Sequence, residues 1–155
     1  RPKNMLRLSR SLLQKQRHQS QRQLLLLSKM GLIQQNLESV NFVAGHPTAA
    51  RTATGQTSGI DVRDYDGDLV FILDSAAGGG SSPTLDVTIE DSADNSSFSA
   101  LSGAAFTQVT GTASAQTLEV SADNCKRYVR IKYTIGGSSP SFTFSVNAIG
   151  LKKYG

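Results

Sequence analysis

The sequence predicts an all-β domain, an antiparallel β-sandwich of jelly-roll-like type, preceded by a basic N-terminal arm that is helical or extended. Three observations carry that prediction. Apolar and polar residues alternate with period two in three separate segments beyond residue 60. Clusters of Gly, Ser and Pro separate these segments, which is the chemistry of tight connections between short strands. The first 37 residues hold eight Lys/Arg and no acid, while the rest of the chain holds eight bases against twelve acids. A formal charge of +4 therefore divides into an arm of +8 and a body of −4.

The segments follow in chain order as an arm over 1–40, a linker over 41–59 and a β-sandwich domain over 60–155. The arm is rich in Leu, Gln, Arg and Lys, which favour helix, and Pro2 is its only proline. Leu26, Met30, Ile33 and Leu37 recur at three- and four-residue steps and share one helical face. Such a helix buries little surface on itself and needs a partner. From Asn41 to Gly59 the composition turns to Ala, Thr, Gly and Ser around His46-Pro47, which reads as an extended linker.

Seven strands are expected after it: Ile60–Arg63, Leu69–Asp74, Leu85–Glu90, Ala105–Val109, Thr117–Val120, Tyr128–Ile135 and Phe142–Ile149. Leu85, Val87 and Ile89 alternate with polar neighbours, as do Val129, Ile131, Tyr133 and Ile135, and then Phe142, Phe144, Val146 and Ala148. One apolar and one polar face per strand means antiparallel sheets with one side wet. Gly79-Gly80-Ser81-Ser82-Pro83 recurs as Gly136-Gly137-Ser138-Ser139-Pro140. Each copy follows an apolar run and stands before an alternating one, so both read as hairpin connections with glycine at positive φ. Ser92-Ala93-Asp94-Asn95 and Ser121-Ala122-Asp123-Asn124 read as ordinary turns after strands.

The residues offer no catalytic constellation, and the protein reads as a non-enzyme without cofactor or metal. His18 and His46 lie in the arm and linker, far in sequence from the single Cys125, and no zinc spacing exists. Asp64-Tyr65-Asp66-Gly67-Asp68 resembles part of a calcium loop but lacks the bidentate Glu, so it reads as a solvated loop. No G-x-S-x-G elbow occurs, and Gly78–Gly80 is not followed by the Lys-Ser/Thr of a phosphate-binding loop. Cys125 reads as a bland, partly buried thiol. No run approaches the roughly 18 apolar residues of a spanning helix, so no membrane partner is expected.

The feature that carries function is the arm. Its cations Arg7, Arg10, Lys15, Arg17, Arg22 and Lys29 supply electrostatic contacts, and Leu26, Met30, Ile33 and Leu37 supply apolar ones. The segment also has the Arg- and Ser-containing, acid-free character of a mitochondrial presequence, but the β-domain suggests no organellar role. Leu24–Leu27 is too short for the apolar core of a secretory signal.

The stretch from Leu85 to Gly155 resembles the small β-domain structural proteins of tailed bacteriophages, above all capsid decoration (cement) proteins. The resemblance runs through Leu85-Asp86-Val87-Thr88-Ile89-Glu90, Asp91 to Phe98, Ala105-Phe106-Thr107-Gln108-Val109, Lys126 to Ile131 and Phe144 to Ile149. It implies a virion protein on the capsid surface that binds the major capsid protein, staples its subunits and meets neighbouring copies as a homo-oligomer. Tail, head-fibre and head-tail components share this sequence style and form the alternative. Two further readings are a nucleic-acid-associated module using the basic arm, and a carbohydrate-binding sandwich. The arm has no aromatic residue to stack on bases, and the chain has no Trp for a sugar platform.

Overall fold

The computed structural model describes residues 19–21 and 40–153. The chain divides between Glu38 and Ser39, and the second unit holds the strands. In order they are β1 (Val40–Arg51), β2 (Gly55–Gln56), β3 (Ile60–Asp61), β4 (Tyr65–Ser75), β5 (Gly79–Ser92), β6 (Ser99–Ala105), β7 (Ser114–Ser121) and β8 (Tyr128–Lys152). A 3-10 turn, Ala122–Asn124, precedes β8.

The spine is β8, a strand of 25 residues that serves two sheets. Its first half pairs antiparallel with β5 on one side and with β2 and β3 on the other. Its second half pairs antiparallel with β4 and with β1. One sheet therefore runs β6–β5–β8, closed by β2 and β3, and the other runs β7–β4–β8–β1. This is the antiparallel sandwich that the period-two patterns predict.

The core lies between the two sheets. Leu85, Val87 and Ile89 face Leu69, Phe71 and Leu73, with Val129, Ile131, Phe142, Phe144, Val146 and Ala148 from β8 completing it, and each is at most 1% exposed. Burying each large apolar side chain contributes about 1.5–3 kcal/mol, which the three fully buried phenylalanines supply at the upper end. Only the far end of one expected stripe weakens: Tyr133 and Ile135 are half-buried.

Three expectations need correction. The two Gly-Gly-Ser-Ser-Pro tracts are not hairpins. One lies inside β5 and the other inside β8, and they face each other, with Gly79 opposite Ser141, Ser81 opposite Ser138 and Thr84 opposite Gly136. Equivalent positions take the same conformation: φ is 96° at Gly80 and 114° at Gly137, and 49° at both Ser82 and Ser139. The contact is reciprocal as well. A Cβ on Gly80 would lie 2.5 Å from the carbonyl oxygen of Ser139, and one on Gly137 would lie 2.7 Å from that of Ser82. Paired irregularities of this kind bend both strands without ending them, and in β8 the bend carries the chain from one sheet to the other.

The segment expected to be a linker holds β1, an edge strand paired with β8 from Val40–Leu151 to Arg51–Phe142. Its small residues hid it, because Ala, Gly and Thr give no alternating apolar signal. The strand expected over Ala105–Val109 begins and ends earlier, as β6. Phe106 and Val109 instead hydrogen-bond to Val87 and Leu85 of β5 from a loop.

Candidate functional site

Four groups of polar and aromatic side chains stand out among the described residues, and each first does structural work. The polar face of β5 turns Glu90 toward β8. Its carboxylate accepts hydrogen bonds from Arg130 Nε at 2.8 Å and Lys132 Nζ at 3.1 Å. The Arg130 guanidinium lies 4.1 Å from the centre of the Phe98 ring. Burial alone would raise the Glu90 pKa, but the two cations outweigh it and hold the carboxyl below its usual range. Next to it, Asp91 accepts from the backbone N–H and the Nζ of Lys126, and burial is again outweighed, leaving its pKa lowered.

Asp61 on β3 accepts from Arg127 at 2.8 Å and Arg63 at 3.2 Å, fastening the short edge strand to the start of β8. The turn after β5 closes on Asp94, whose carboxylate accepts from the backbone of Ser96 and Ser97 and from the Ser92 hydroxyl. Those bonds hold its pKa down to about 2.

The fourth group locks β1. His46 stacks 5.0 Å from Tyr133 and 5.6 Å from Phe144, which meet each other edge-on at 5.2 Å. Arg51 covers the group, 4.8 Å from the Phe144 ring centre. Its guanidinium donates to the carbonyls of Pro47, Ala49 and Phe144 at 2.8–3.0 Å. Burial and the neighbouring Arg51 charge lower the His46 pKa, and its Nε2 is buried without a partner among the described residues.

Shallow clefts open on the surface of the described residues, of which two are lined by polar side chains. One, of about 310 Å³, is lined by Arg63, Lys126, Arg127 and Lys153 with Tyr65, Val62, Ala122, Asp123 and Cys125. Its guanidinium and ammonium groups are largely spent on Asp61 and Asp91. Burial and Asp91 push the Cys125 thiol up to about 11, so it is a poor nucleophile at neutral pH. The other, of about 160 Å³, lies between β6 and β7 and is lined by Leu101–Ala104 and Glu119–Ser121 with Asn124. Among the described residues no three His, Cys, Asp or Glu side chains group closely enough to hold a metal ion. Nor is any described helix long and apolar enough to cross a membrane.

The arm residues singled out from the sequence, Arg7, Arg10, Lys15, Arg17, Arg22, Lys29, Leu26, Met30, Ile33 and Leu37, lie outside the described residues. Within the arm only Gln19, Ser20 and Gln21 are described, as exposed helical residues. What sequence reasoning missed is the outer face of the β7–β4–β8–β1 sheet. Val70 and Ile72 of β4 sit beside Ile149 and Asn147 of β8, and Leu151 continues the row. Ile72 is 36% and Leu151 40% exposed, the two large apolar side chains most open to solvent among the described residues. Exposed Asp66, Asp68, Asp74 and Glu119 surround them. The signal was present in Val70 and Ile72, which break the polar half of the β4 alternation.

No protein-family model matches the chain, and neither does any curated protein. Solved structures with a similar arrangement of strands do exist. The exported protein XepA of PBSX shares 17% identity at a TM-score of 0.48; the match covers 75% of this chain and only 38% of that one. The CBM22-1 xylan-binding domain of Paenibacillus barcinonensis Xyn10C shares 15% at 0.44, covering 76% of this chain and 98% of that domain. YomS, an SPBc2 prophage-derived protein, shares 11% at 0.37, covering 72% and 91%. An exported protein, a prophage-derived protein and a xylan-binding domain thus stand side by side among the structures that this β-sandwich is similar to.

Proposed function

We propose that this chain is a non-enzymatic virion structural protein that binds the outer surface of a tailed-phage capsid. There it holds neighbouring major capsid protein subunits together. The observation that carries the reading is the junction of arm and body. The +8 segment runs straight into β1, with only Glu38 and Ser39 between Leu37 and the first paired residue, Val40. Arg51 and the His46–Tyr133–Phe144 group then fix the far end of that strand. A binding segment joined in this way passes its load into the sheet rather than into a slack tether. The resemblance of Leu85–Gly155 to decoration proteins points the same way. In this reading the body is a rigid, cofactor-free module, and the arm cations complement an acidic shell. Two linked contacts raise the effective concentration of each, so weak sites add up to stable attachment.

The test is co-sedimentation of the full chain with undecorated, expanded phage heads. A second chain has Arg7, Arg10, Lys15, Arg17, Arg22 and Lys29 replaced by Gln. Saturable binding at a fixed ratio to capsid subunits, weakened at least tenfold by the six replacements and by added salt, supports the reading. Absence of saturable binding overturns it and moves the protein to the tail or fibre, or to nucleic acid. Equal binding by both chains removes the arm from the mechanism.

A further inference from the structure

The outer face of the β7–β4–β8–β1 sheet is an apolar strip with an acidic rim. Val70, Ile72, Ile149 and Leu151 form the strip, and Asp66, Asp68, Asp74 and Glu119 flank it. None of these four carboxylates forms an ion pair with another described residue. Ile72 is 36% and Leu151 40% exposed, so the described residues leave the strip open.

Charge decides what fits there. Two such faces pressed together would oppose like charges, which excludes a symmetric face-to-face pair. The complementary surface is cationic and apolar at once. This chain carries one in Arg22, Leu26, Lys29, Met30, Ile33 and Leu37. The lengths agree as well. From Leu26 to Leu37 a helix rises about 16 Å at about 1.5 Å per residue. Along β8, from Asn147 opposite Ile72 to Leu151, the strip extends about 13 Å at about 3.3 Å per residue.

We infer that the strip Val70–Ile72–Ile149–Leu151, with its acidic rim, is the docking surface for residues 22–37 of a second copy of this chain. The apolar stripe covers Ile72 and Leu151, and Arg22 and Lys29 meet the rim. Copies so joined associate head to tail, one arm to the next body, and form rings or open chains according to the rotation between them. The inference goes beyond the capsid reading and stands without it, because no capsid enters its test.

The experiment is sedimentation velocity of the full chain over a concentration series up to about 100 µM, a range that populates micromolar association. Ile72→Lys and Glu119→Lys are compared with the unaltered chain. Both positions are exposed, so each variant keeps its fold, which thermal unfolding verifies. The expected result is concentration-dependent association of the unaltered chain, weakened at least tenfold by Ile72→Lys and severalfold by Glu119→Lys and by salt. A parallel mixture of a Met30→Cys chain and an Ile72→Cys chain should form the mixed disulfide dimer on oxidation. A monomer at every concentration, association indifferent to both substitutions, or absence of the mixed disulfide overturns the inference. A Met30→Cys/Ile72→Cys double variant that closes only on itself at every concentration overturns it too.

Discussion

Substituting Gly137 by Ala tests the central bend of the sandwich. Its φ of 114° lies where L-residues rarely go, and holding an alanine there costs about 1–2 kcal/mol. The added Cβ would also stand 2.7 Å from the Ser82 carbonyl oxygen and 3.0 Å from the Pro83 Cα. Both are backbone atoms of the facing strand and cannot swing aside, which adds about 1–3 kcal/mol of overpacking. The sum of about 2–5 kcal/mol is a large share of the ~5–15 kcal/mol that holds a domain folded. Gly80→Ala meets the same obstacle from the other tract, at 2.5 Å from Ser139 O and 2.6 Å from Ser138 O, and should cost as much. Gly103→Ala separates the two terms: φ is 76°, but nothing lies within 4 Å of the new Cβ, so only about 1 kcal/mol is expected. Urea unfolding of the three variants measures this, with m unchanged if the folded state stays compact. Each reaches into the other's tract, so the Gly80/Gly137 double variant should cost less than the sum of the singles. A Gly137→Ala cost no larger than that of Gly103→Ala would refute the idea that the facing tracts are a close-packed joint.

Further outcomes follow from the polar groups. Glu90→Gln should cost about 1–3 kcal/mol at neutral pH, because it leaves Arg130 and Lys132 without their counter-charge in a site where Glu90 is 5% exposed. The folded-state pKa of Glu90 is lowered, so that contribution is full above the ordinary carboxylate range and vanishes as pH falls through the folded value. Unfolding at neutral and acid pH should therefore show the two chains converging on acidification. Asp94 should titrate with a midpoint near 2 by NMR, and the amide protons of Ser96 and Ser97 should shift with it. His46 adds to the same acid-side loss, since its pKa is lowered and the unfolded chain takes up a proton first as pH drops through the ordinary histidine range. Arg51→Ala removes three hydrogen bonds to carbonyls and should speed amide exchange in β1 well before that of the β5–β8 pairing. Uniform acceleration through both sheets would contradict a local lock.

The sequence spoke clearly wherever burial is one-sided. Leu85-Val87-Ile89 and Phe142-Phe144-Val146-Ala148 alternate because one face of each strand is core, and every one of them is buried. It was silent on β1, whose Ala, Gly and Thr residues are held by pairing with β8 rather than by an apolar stripe of their own. The Gly-Gly-Ser-Ser-Pro repeats were legible as special backbone but not as facing backbone. Positive φ at a glycine is local information, whereas the partner of a bend 57 positions away is set by the pairing of β5 with β8. The strip on the outer sheet face was half legible, since Val70 and Ile72 flagged it while Ile149 and Leu151 joined only through the register. The arm carried its signal in charge and spacing alone.

The shared spine explains why such a thin core can make a stiff module. An ordinary sandwich joins its sheets through loops and side-chain packing. Here one covalent strand crosses between them, and the crossing is braced by the second tract on β5. Moving one sheet against the other would have to deform β8 at Gly136–Pro140 and β5 at Gly79–Pro83 together. Since β1 pairs with the second half of β8, a pull on the arm along β1 loads the ladder in shear, with its bonds sharing the force. A pull across the strand would instead peel them one at a time. Two short-range breaks in β1's register, at Phe42/Ala44 and His46/Ala49, keep successive stretches from sliding past one another. A body braced this way keeps its two sheets in fixed relation, as the structural role proposed above requires, and leaves recognition of a partner to surfaces rather than to motion between the sheets.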